Sequence, residues 1–195
     1  EYQVGLDIPS LARSLVKPRA LAILLTIILQ NMSLVAFMSM APLYFQEIRG
    51  FSSGLTGLGF SLFLIGGALT APFVGHVSDK IGRKTMTVSG LIGGGVCACL
   101  ITFVPSDVAI FPLLITTGLL MLSIRSVILA MALEKVGHRE STVLGFISSM
   151  GEGFAALGAL LAGLLGDIDL EFPLVLAAIL SIVAGLAIWP LKRTS

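Results

Sequence analysis

Apolar residues fill the chain in long runs, and polar residues gather in the short segments between these runs. A helix that crosses a lipid bilayer needs about 20 predominantly apolar residues. Runs of that length predict six membrane-spanning helices, at residues 20–45, 55–77, 85–104, 108–133, 142–165 and 172–191. The pattern therefore predicts an all-α membrane protein whose helices are joined by short connections.

The basic residues between the predicted spans divide unequally between the two sides of the membrane. Arg49 falls on one side, and the opposite side carries Arg13, Lys17, Arg19, Lys80, Arg83, Lys84, Lys135, Arg139, Lys192 and Arg193. Cytoplasmic loops carry an excess of Lys and Arg, so this richer side is predicted to be cytoplasmic. Both termini then lie inside, with residues 1–19 as a cytoplasmic linker, 20–191 as the helix bundle and 192–195 as a cytoplasmic tail.

Composition supports the membrane interpretation. Of the 195 residues, 56% are hydrophobic and 12% are charged, whereas charged residues make up roughly a quarter of a soluble domain. The net charge of +1 and the absence of a basic tract give no indication of a nucleic-acid partner. Because the sequence starts at Glu1, without a signal-peptide pattern, we expect it to be a piece of a longer protein.

The sequence offers no motif for catalysis or for metal binding. Cys97 and Cys99 are two residues apart in an apolar run, so on a helix they point about 200° apart and do not converge on a metal or form a bridge. Neither a zinc-protease HExxH motif nor a serine-hydrolase GxSxG motif occurs. We therefore expect neither enzymatic activity nor a cofactor.

Two ionisable residues lie well inside predicted spans, where a charge is costly and usually faces a cavity or a partner. Arg125 is about 12 Å from the inner end of the fourth span, and Glu152 is about 16 Å into the fifth, at 1.5 Å per residue. These depths allow a salt bridge between adjacent antiparallel helices. Two interpretations stay open: a substrate and proton pathway, or a purely structural bridge or an Arg side chain reaching the interface.

The first span carries a polar face. Gln30, Ser33, Phe37 and Met40 follow the spacing of one helix face, and Asn31 flanks it. This face is predicted either to line a pore, with Gln30 and Asn31 in a substrate pathway, or to pack inward through hydrogen bonds between helices.

The charged segment at residues 75–84, between the second and third spans, reads GHVSDKIGRK. It resembles the signature loop of the major facilitator superfamily of secondary transporters, roughly G-x-L-a-D-r-x-G-r-k, and matches it directly at Gly75, Asp79, Gly82, Arg83 and Lys84. Val77, Ser78 and Lys80 depart conservatively from that pattern. We predict a loop here, with its acidic residue against a helix N-terminus.

An internal sequence repeat agrees with the resemblance. The segment from Leu58, in the second span, resembles the segment from Leu144, in the fifth, although the two spans run in opposite directions. That is the 3+3 inverted repeat found within each half of these transporters. Because residues 7–21 resemble the linker that enters the seventh span of the family, we expect a six-helix half, the C-terminal one, whereas the signature loop by itself suits the N-terminal half better.

The resemblance implies a secondary transporter that moves a small solute by alternating access, with the residues of the signature loop gating that movement. Its implied partners are the solute, protons, the lipid bilayer and the missing six-helix half, and its implied location is the cell (inner or plasma) membrane. Proton-coupled efflux of an organic compound or drug is the leading hypothesis. Uptake of an organic anion at Arg125 and a non-transporting membrane scaffold or sensor are the alternatives.

Overall fold

A computed structural model describes residues 18–133 and 140–190. Within those ranges the chain forms six α-helices: α1 (Pro18–Glu47), α2 (Ser53–Ile81), α3 (Arg83–Phe103), α4 (Asp107–Leu133), α5 (Glu140–Gly166) and α6 (Phe172–Ile188). The predicted all-helical fold is confirmed. The connection between the fourth and fifth spans at 134–139, the tail at 192–195 and residues 1–17 of the linker lie outside the described residues. The last two linker residues belong to α1, where Pro18 occupies a first helical position that needs no N–H donor.

Five of the described helices, α1 to α5, include stretches long and apolar enough to cross a membrane. The sixth, α6, has 17 residues and is about 25 Å long, which is the short end of the spanning range. The predicted end of this span, residue 191, lies outside the described residues, and the helix itself ends at Ile188. The helix ends where the backbone N–H of Trp189 donates to the carbonyl of Leu186. The next residue, Pro190, has no N–H with which to continue the helix.

The segment at residues 75–84 is helical except at one residue, so the predicted loop was wrong. α2 continues to Ile81 and α3 starts at Arg83, which leaves Gly82 between them at φ +100°. That backbone conformation favours glycine. Polar residues here mark where α2 leaves the apolar layer, whereas the helix itself continues until the N–H of Gly82 bonds to the carbonyl of Ser78.

The packing of the helices follows the predicted inverted repeat. In the repeat, α1, α2 and α3 correspond to α4, α5 and α6. The contact of α2 with α4 is matched by that of α5 with α1, and the contact of α1 with α6 is matched by that of α4 with α3. The α3–α6 pair maps onto itself when the first three helices are exchanged for the last three. The two triplets of helices therefore form one bundle with internal two-fold pseudosymmetry, as expected for a 3+3 repeat.

Glycines bring helix backbones into contact at the two equivalent pairs. A Cβ on Gly66 of α2 would lie 2.6 Å from a carbonyl oxygen of α4, and one on Gly118 of α4 would overlap the carbonyl oxygen of Phe63. In the α1–α5 pair, a Cβ on Gly158 would overlap the backbone of Met32. Small residues at such crossings are how membrane helices gain close van der Waals packing.

Five hydrogen bonds between helices, among the described residues, run from a buried side chain to a backbone carbonyl of the neighbouring helix. The pairs are Thr26 to Ala184, Ser33 to Ala177, Gln30 to Met121, Ser123 to Gly67 and Ser181 to Leu91, with donor–acceptor distances of 2.5 to 3.1 Å. In an apolar layer a polar side chain gains most from such a partner, because no water competes for it. These bonds join α1 to α4 and α6, α2 to α4, and α3 to α6.

Arg49 connects the opposite end of the bundle. Its Nη2 donates to the carbonyls of Ile101 at 3.1 Å and Val104 at 2.6 Å, and its Nε donates to the Tyr44 hydroxyl at 3.0 Å. The last carbonyls of a helix lack intrahelical donors, and a cation there also meets the negative end of the helix dipole. Arg49 therefore caps α3 from the connection between α1 and α2.

Arg49→Met is expected to lower the free energy of unfolding of the purified protein by about 2 kcal/mol, because several carbonyls lose a charged donor. Thermal unfolding in detergent measures the loss. Arg49→Lys, which keeps the charge and loses the planar fork, should give an intermediate apparent Tm. A methionine variant as stable as the parent would show that the cap contributes nothing.

Candidate functional site

A small cavity lies between α1, α4 and α5. Its volume is about 50 Å³, and its lining residues are Ile27, Gln30, Asn31, Arg125, Ile128, Leu129 and Ser148. The volume accommodates a few water molecules or the polar end of a larger compound. Three of the lining residues are apolar and four carry polar groups, so the cavity offers both hydrocarbon and hydrogen-bonding surface.

Helical spacing explains how these residues meet. Ile27 stands three and four positions before Gln30 and Asn31, and Arg125 stands three and four positions before Ile128 and Leu129. Residues at those spacings share one helix face. Ser148 likewise lies one turn before Glu152 on α5. Because the sequence interpretation followed charged and amide groups alone, it missed the apolar wall and Ser148, although the same spacing indicates them.

The polar face of α1 mainly packs inward. Ser33 and Phe37 are fully buried, and the Phe37 ring stacks on Phe63 of α2 with centroids 5.4 Å apart. Gln30 and Asn31 are also buried, but both border the cavity. The structure thus favours the inward-packing alternative for most of this face and leaves its two amide side chains at the cavity wall.

Gln30 makes one hydrogen bond and lacks another. Its Nε2 donates to the carbonyl of Met121 on α4 at 2.7 Å, while its Oε1 is buried and has no donor among the described residues. The neighbouring Asn31 packs against Gly151 of α5, where its amide fills the space that a Cβ would occupy. The two amides therefore link α1 to both other walls of the cavity.

Arg125 and Glu152 form the ion pair that their depths suggest. The Nη2 of Arg125 donates to Oε1 of Glu152, across from α4 to α5. Their side chains are 50% and 56% exposed, and α4 and α5 otherwise hardly touch. The pair therefore spans the mouth of a gap between two helices and is not sealed inside a packed interface.

Glu152 lies close to the middle of α5, and Arg125 lies nearer the end of α4. Glu152 is twelve residues from the start of α5 and fourteen from its end, or about 18 and 21 Å. Arg125 is eight residues from the end of α4, or about 12 Å. An ionisable residue that far inside a span usually faces a cavity or pairs with another charge, and here Arg125 and Glu152 pair with each other.

The five residues of the signature segment lie away from the cavity, at the junction of α2 and α3. The carboxylate of Asp79 accepts from Nε and Nη2 of Arg83, both at 3.1 Å, one helical turn on and across Gly82. Gly75 accepts from Ser78 in the last turns of α2, and Lys84 follows Arg83 in the first turn of α3. Asp79 thus meets the side chain that opens α3, and its side chain is 59% exposed.

The sequence from residue 19 to residue 195 matches the family model described as Major Facilitator Superfamily. The chain belongs to the Major Facilitator Superfamily. The match includes all six helices, apart from the first residue of α1, so the fold and the family agree over nearly the whole chain.

Individual members of the Major Facilitator Superfamily also resemble the chain. It is 31% identical over 134 residues to the multidrug resistance protein MdtG of Yersinia enterocolitica, 30% over 134 residues to that of Salmonella newport and 29% over 135 residues to that of Proteus mirabilis. Each match includes 67% of this chain and 32 to 34% of the relative. The matched segment thus spans about one third of the length of these curated relatives. No solved structure matches the chain.

Proposed function

We propose that the chain is one six-helix half of a secondary transporter that exports organic compounds in exchange for protons, by alternating access. Membership of the Major Facilitator Superfamily supports transport of a small solute. The multidrug resistance relatives support an organic cargo that leaves the cell. The location that suits this function is the cell membrane, with the helices as multiple passes and both termini on the cytoplasmic side.

The ion pair of Arg125 and Glu152 is the observation that carries proton coupling. A carboxylate that is half-exposed beside a cavity is accessible to a proton, unlike one that is sealed in a helix interface. Protonation removes the negative charge of Glu152 and with it the attraction that joins α4 to α5. The gap between these two helices then opens, and deprotonation closes it again. The protein thus has an open and a closed state, and a bound proton and a bound solute favour opposite ones.

Uptake of an organic anion at Arg125 is the second candidate, because Arg125 is the charged group in the cavity wall. An anion there would compete with Glu152, which already balances the guanidinium. The geometry therefore supports export with proton exchange better than anion uptake. Loss of anion-driven transport on changing Arg125, without loss of proton-driven export, would reverse that order.

The signature segment is assigned to gating against the missing half of the transporter. Its charged residues sit at a helix junction that the single glycine Gly82 forms, and Asp79 stays largely exposed although it pairs with Arg83. An exposed ion pair one helical turn apart contributes at most about 1 kcal/mol to stability. The charge at Asp79 is therefore available for a contact with the other half without loss of the fold.

Asp79→Asn in the full-length transporter is expected to reduce transport severalfold while membrane insertion and the apparent Tm stay close to those of the parent. The gating contact loses its charge, whereas the helix junction keeps Gly82. Solute efflux and thermal unfolding, measured on the same preparation, separate the two effects. Normal efflux would contradict the gating role, and a large fall in Tm would show that Asp79 is structural.

The experiment that tests the proposed function uses the full-length protein in liposomes with an imposed pH gradient. Movement of organic dyes against their concentration gradient should occur with the pH gradient and stop when nigericin collapses it. Movement that ignores the pH gradient would contradict proton coupling. Failure to move any of a broad panel of solutes would favour the scaffold or sensor alternative.

A further inference from the structure

The side-chain amide of Gln30 is held in one orientation. The carbonyl of Met121 only accepts hydrogen bonds, so the atom 2.7 Å from it must be the amide nitrogen Nε2. The amide oxygen Oε1 therefore points elsewhere, and Gln30 is 1% exposed. Among the described residues no donor reaches that oxygen.

An unpaired buried acceptor is costly, and most such groups in folded proteins have a partner. Within the described ranges a second buried side-chain oxygen also lacks a donor, that of Thr87 on α3. Thr87 does not line the cavity between α1, α4 and α5, whereas Gln30 does. Gln30, which carries one of these unmet acceptors, thus lines the site proposed for the solute, and the oxygen itself is buried.

The other groups in the wall define the partner that Gln30 lacks. Ile27, Ile128 and Leu129 present hydrocarbon, and Arg125, already paired with Glu152, disfavours a second positive charge beside it. The complementary ligand is an apolar, uncharged compound that carries one N–H or O–H donor. Its donor end fits a cavity of about 50 Å³, and its apolar remainder lies against the hydrocarbon side chains of that wall.

We infer that Gln30 is a specificity-determining residue that reads a hydrogen-bond donor on the transported compound through its free Oε1. This inference deepens the proposed function and rests on it for the route by which the compound reaches the cavity. A binding site built around a hydrogen bond strongly rejects an analogue that lacks the matching group, because the buried polar atom is then left unpaired.

The test compares two compounds that differ in a single donor, hydroxybiphenyl and its methyl ether. Binding to the purified full-length transporter is measured by ligand-induced thermal stabilisation, which requires no transport. The parent protein should bind the phenol at least about tenfold more tightly than the ether, since the ether leaves the acceptor unpaired. Equal affinity for the two compounds, or no binding of either, would overturn the inference without any variant.

Two variants assign the preference to Gln30. Gln30→Met keeps the length and apolar stem of the side chain and should reduce the preference to about twofold or less. The matched control is Ser33→Ala, which also removes a hydrogen bond between helices, from Ser33 to Ala177, but lies outside the cavity wall. The control should keep the preference of the parent. A preference that survives in Gln30→Met would place donor recognition elsewhere and overturn the inference.

Transport is then measured separately for the same pair of compounds. Preferential binding of the phenol without proton-driven export of it would contradict the proposed function and leave the recognition site standing. Export of both compounds at equal affinity would contradict donor recognition and leave the proposed function standing. The two failures are therefore distinguishable.

Discussion

Replacing Glu152 with glutamine is expected to reduce proton-driven export by the full-length transporter to background while leaving it folded and in the membrane. Glutamine keeps the size of the side chain and its hydrogen-bonding oxygen, but it neither carries a negative charge nor titrates. The pair with Arg125 is half-exposed, and exposed pairs contribute at most about 1 kcal/mol. The variant therefore separates the loss of coupling from the loss of stability.

A matched control for this prediction is Glu47→Gln. Glu47 is exposed at the end of α1, far along the chain from the cavity wall, and it undergoes the same chemical change. Uphill export, driven by a pH gradient in liposomes, should persist in the control and vanish in Glu152→Gln. Unchanged uphill export by Glu152→Gln would reduce the ion pair to a structural bridge.

Gly118→Ala is expected to cause the largest loss of stability among alanine substitutions at the described glycines, about 3 kcal/mol or more. The added Cβ would overlap the backbone carbonyl oxygen of Phe63, and a backbone moves less easily than a side chain. α2 and α4 would have to separate, although their contact is among the most extensive in the bundle. Thermal unfolding and the yield of monodisperse protein in detergent measure the effect.

Gly57→Ala on α2 is the matched control for Gly118→Ala. A Cβ at Gly57 would meet nothing within 4 Å, so the methyl group should be neutral or stabilising by up to about 1 kcal/mol through helix propensity. Equal Tm values for the two variants would contradict the close backbone contact between α2 and α4. Export needs no measurement here, because the prediction concerns packing alone.

The fold was largely predictable because each apolar run is long and the breaks between runs are polar. The predicted loop at residues 75–84 was wrong because a polar break between apolar runs was taken as the end of a helix. Asp79 and Lys80 mark the edge of the apolar layer, but a helix that leaves a bilayer continues until its backbone is stopped, here by Gly82 at positive φ. Hydropathy indicates whether a residue lies in lipid or in water, whereas the end of a helix depends on local backbone geometry.

The contacts of the site were predictable only where the depth of two residues in the membrane is enough to bring them together. Arg125 and Glu152 lie at compatible depths on neighbouring spans, and the structure pairs them. The free oxygen of Gln30 depends on which carbonyl its nitrogen meets, and Met121 is 91 residues away in the sequence. Arg49 was counted only as an outside charge, because its role as a cap requires the end of α3 to be in place.

Proton release on solute binding is the most direct test of the central claim, that Glu152 couples a proton to the solute. The purified full-length transporter in weakly buffered detergent solution is mixed with a transported compound, and a pH indicator records the protons exchanged. The parent should release about one proton per bound solute, and Glu152→Gln should release none. Equal release by the parent and by Glu152→Gln, or solute binding by the parent without release, would contradict the account.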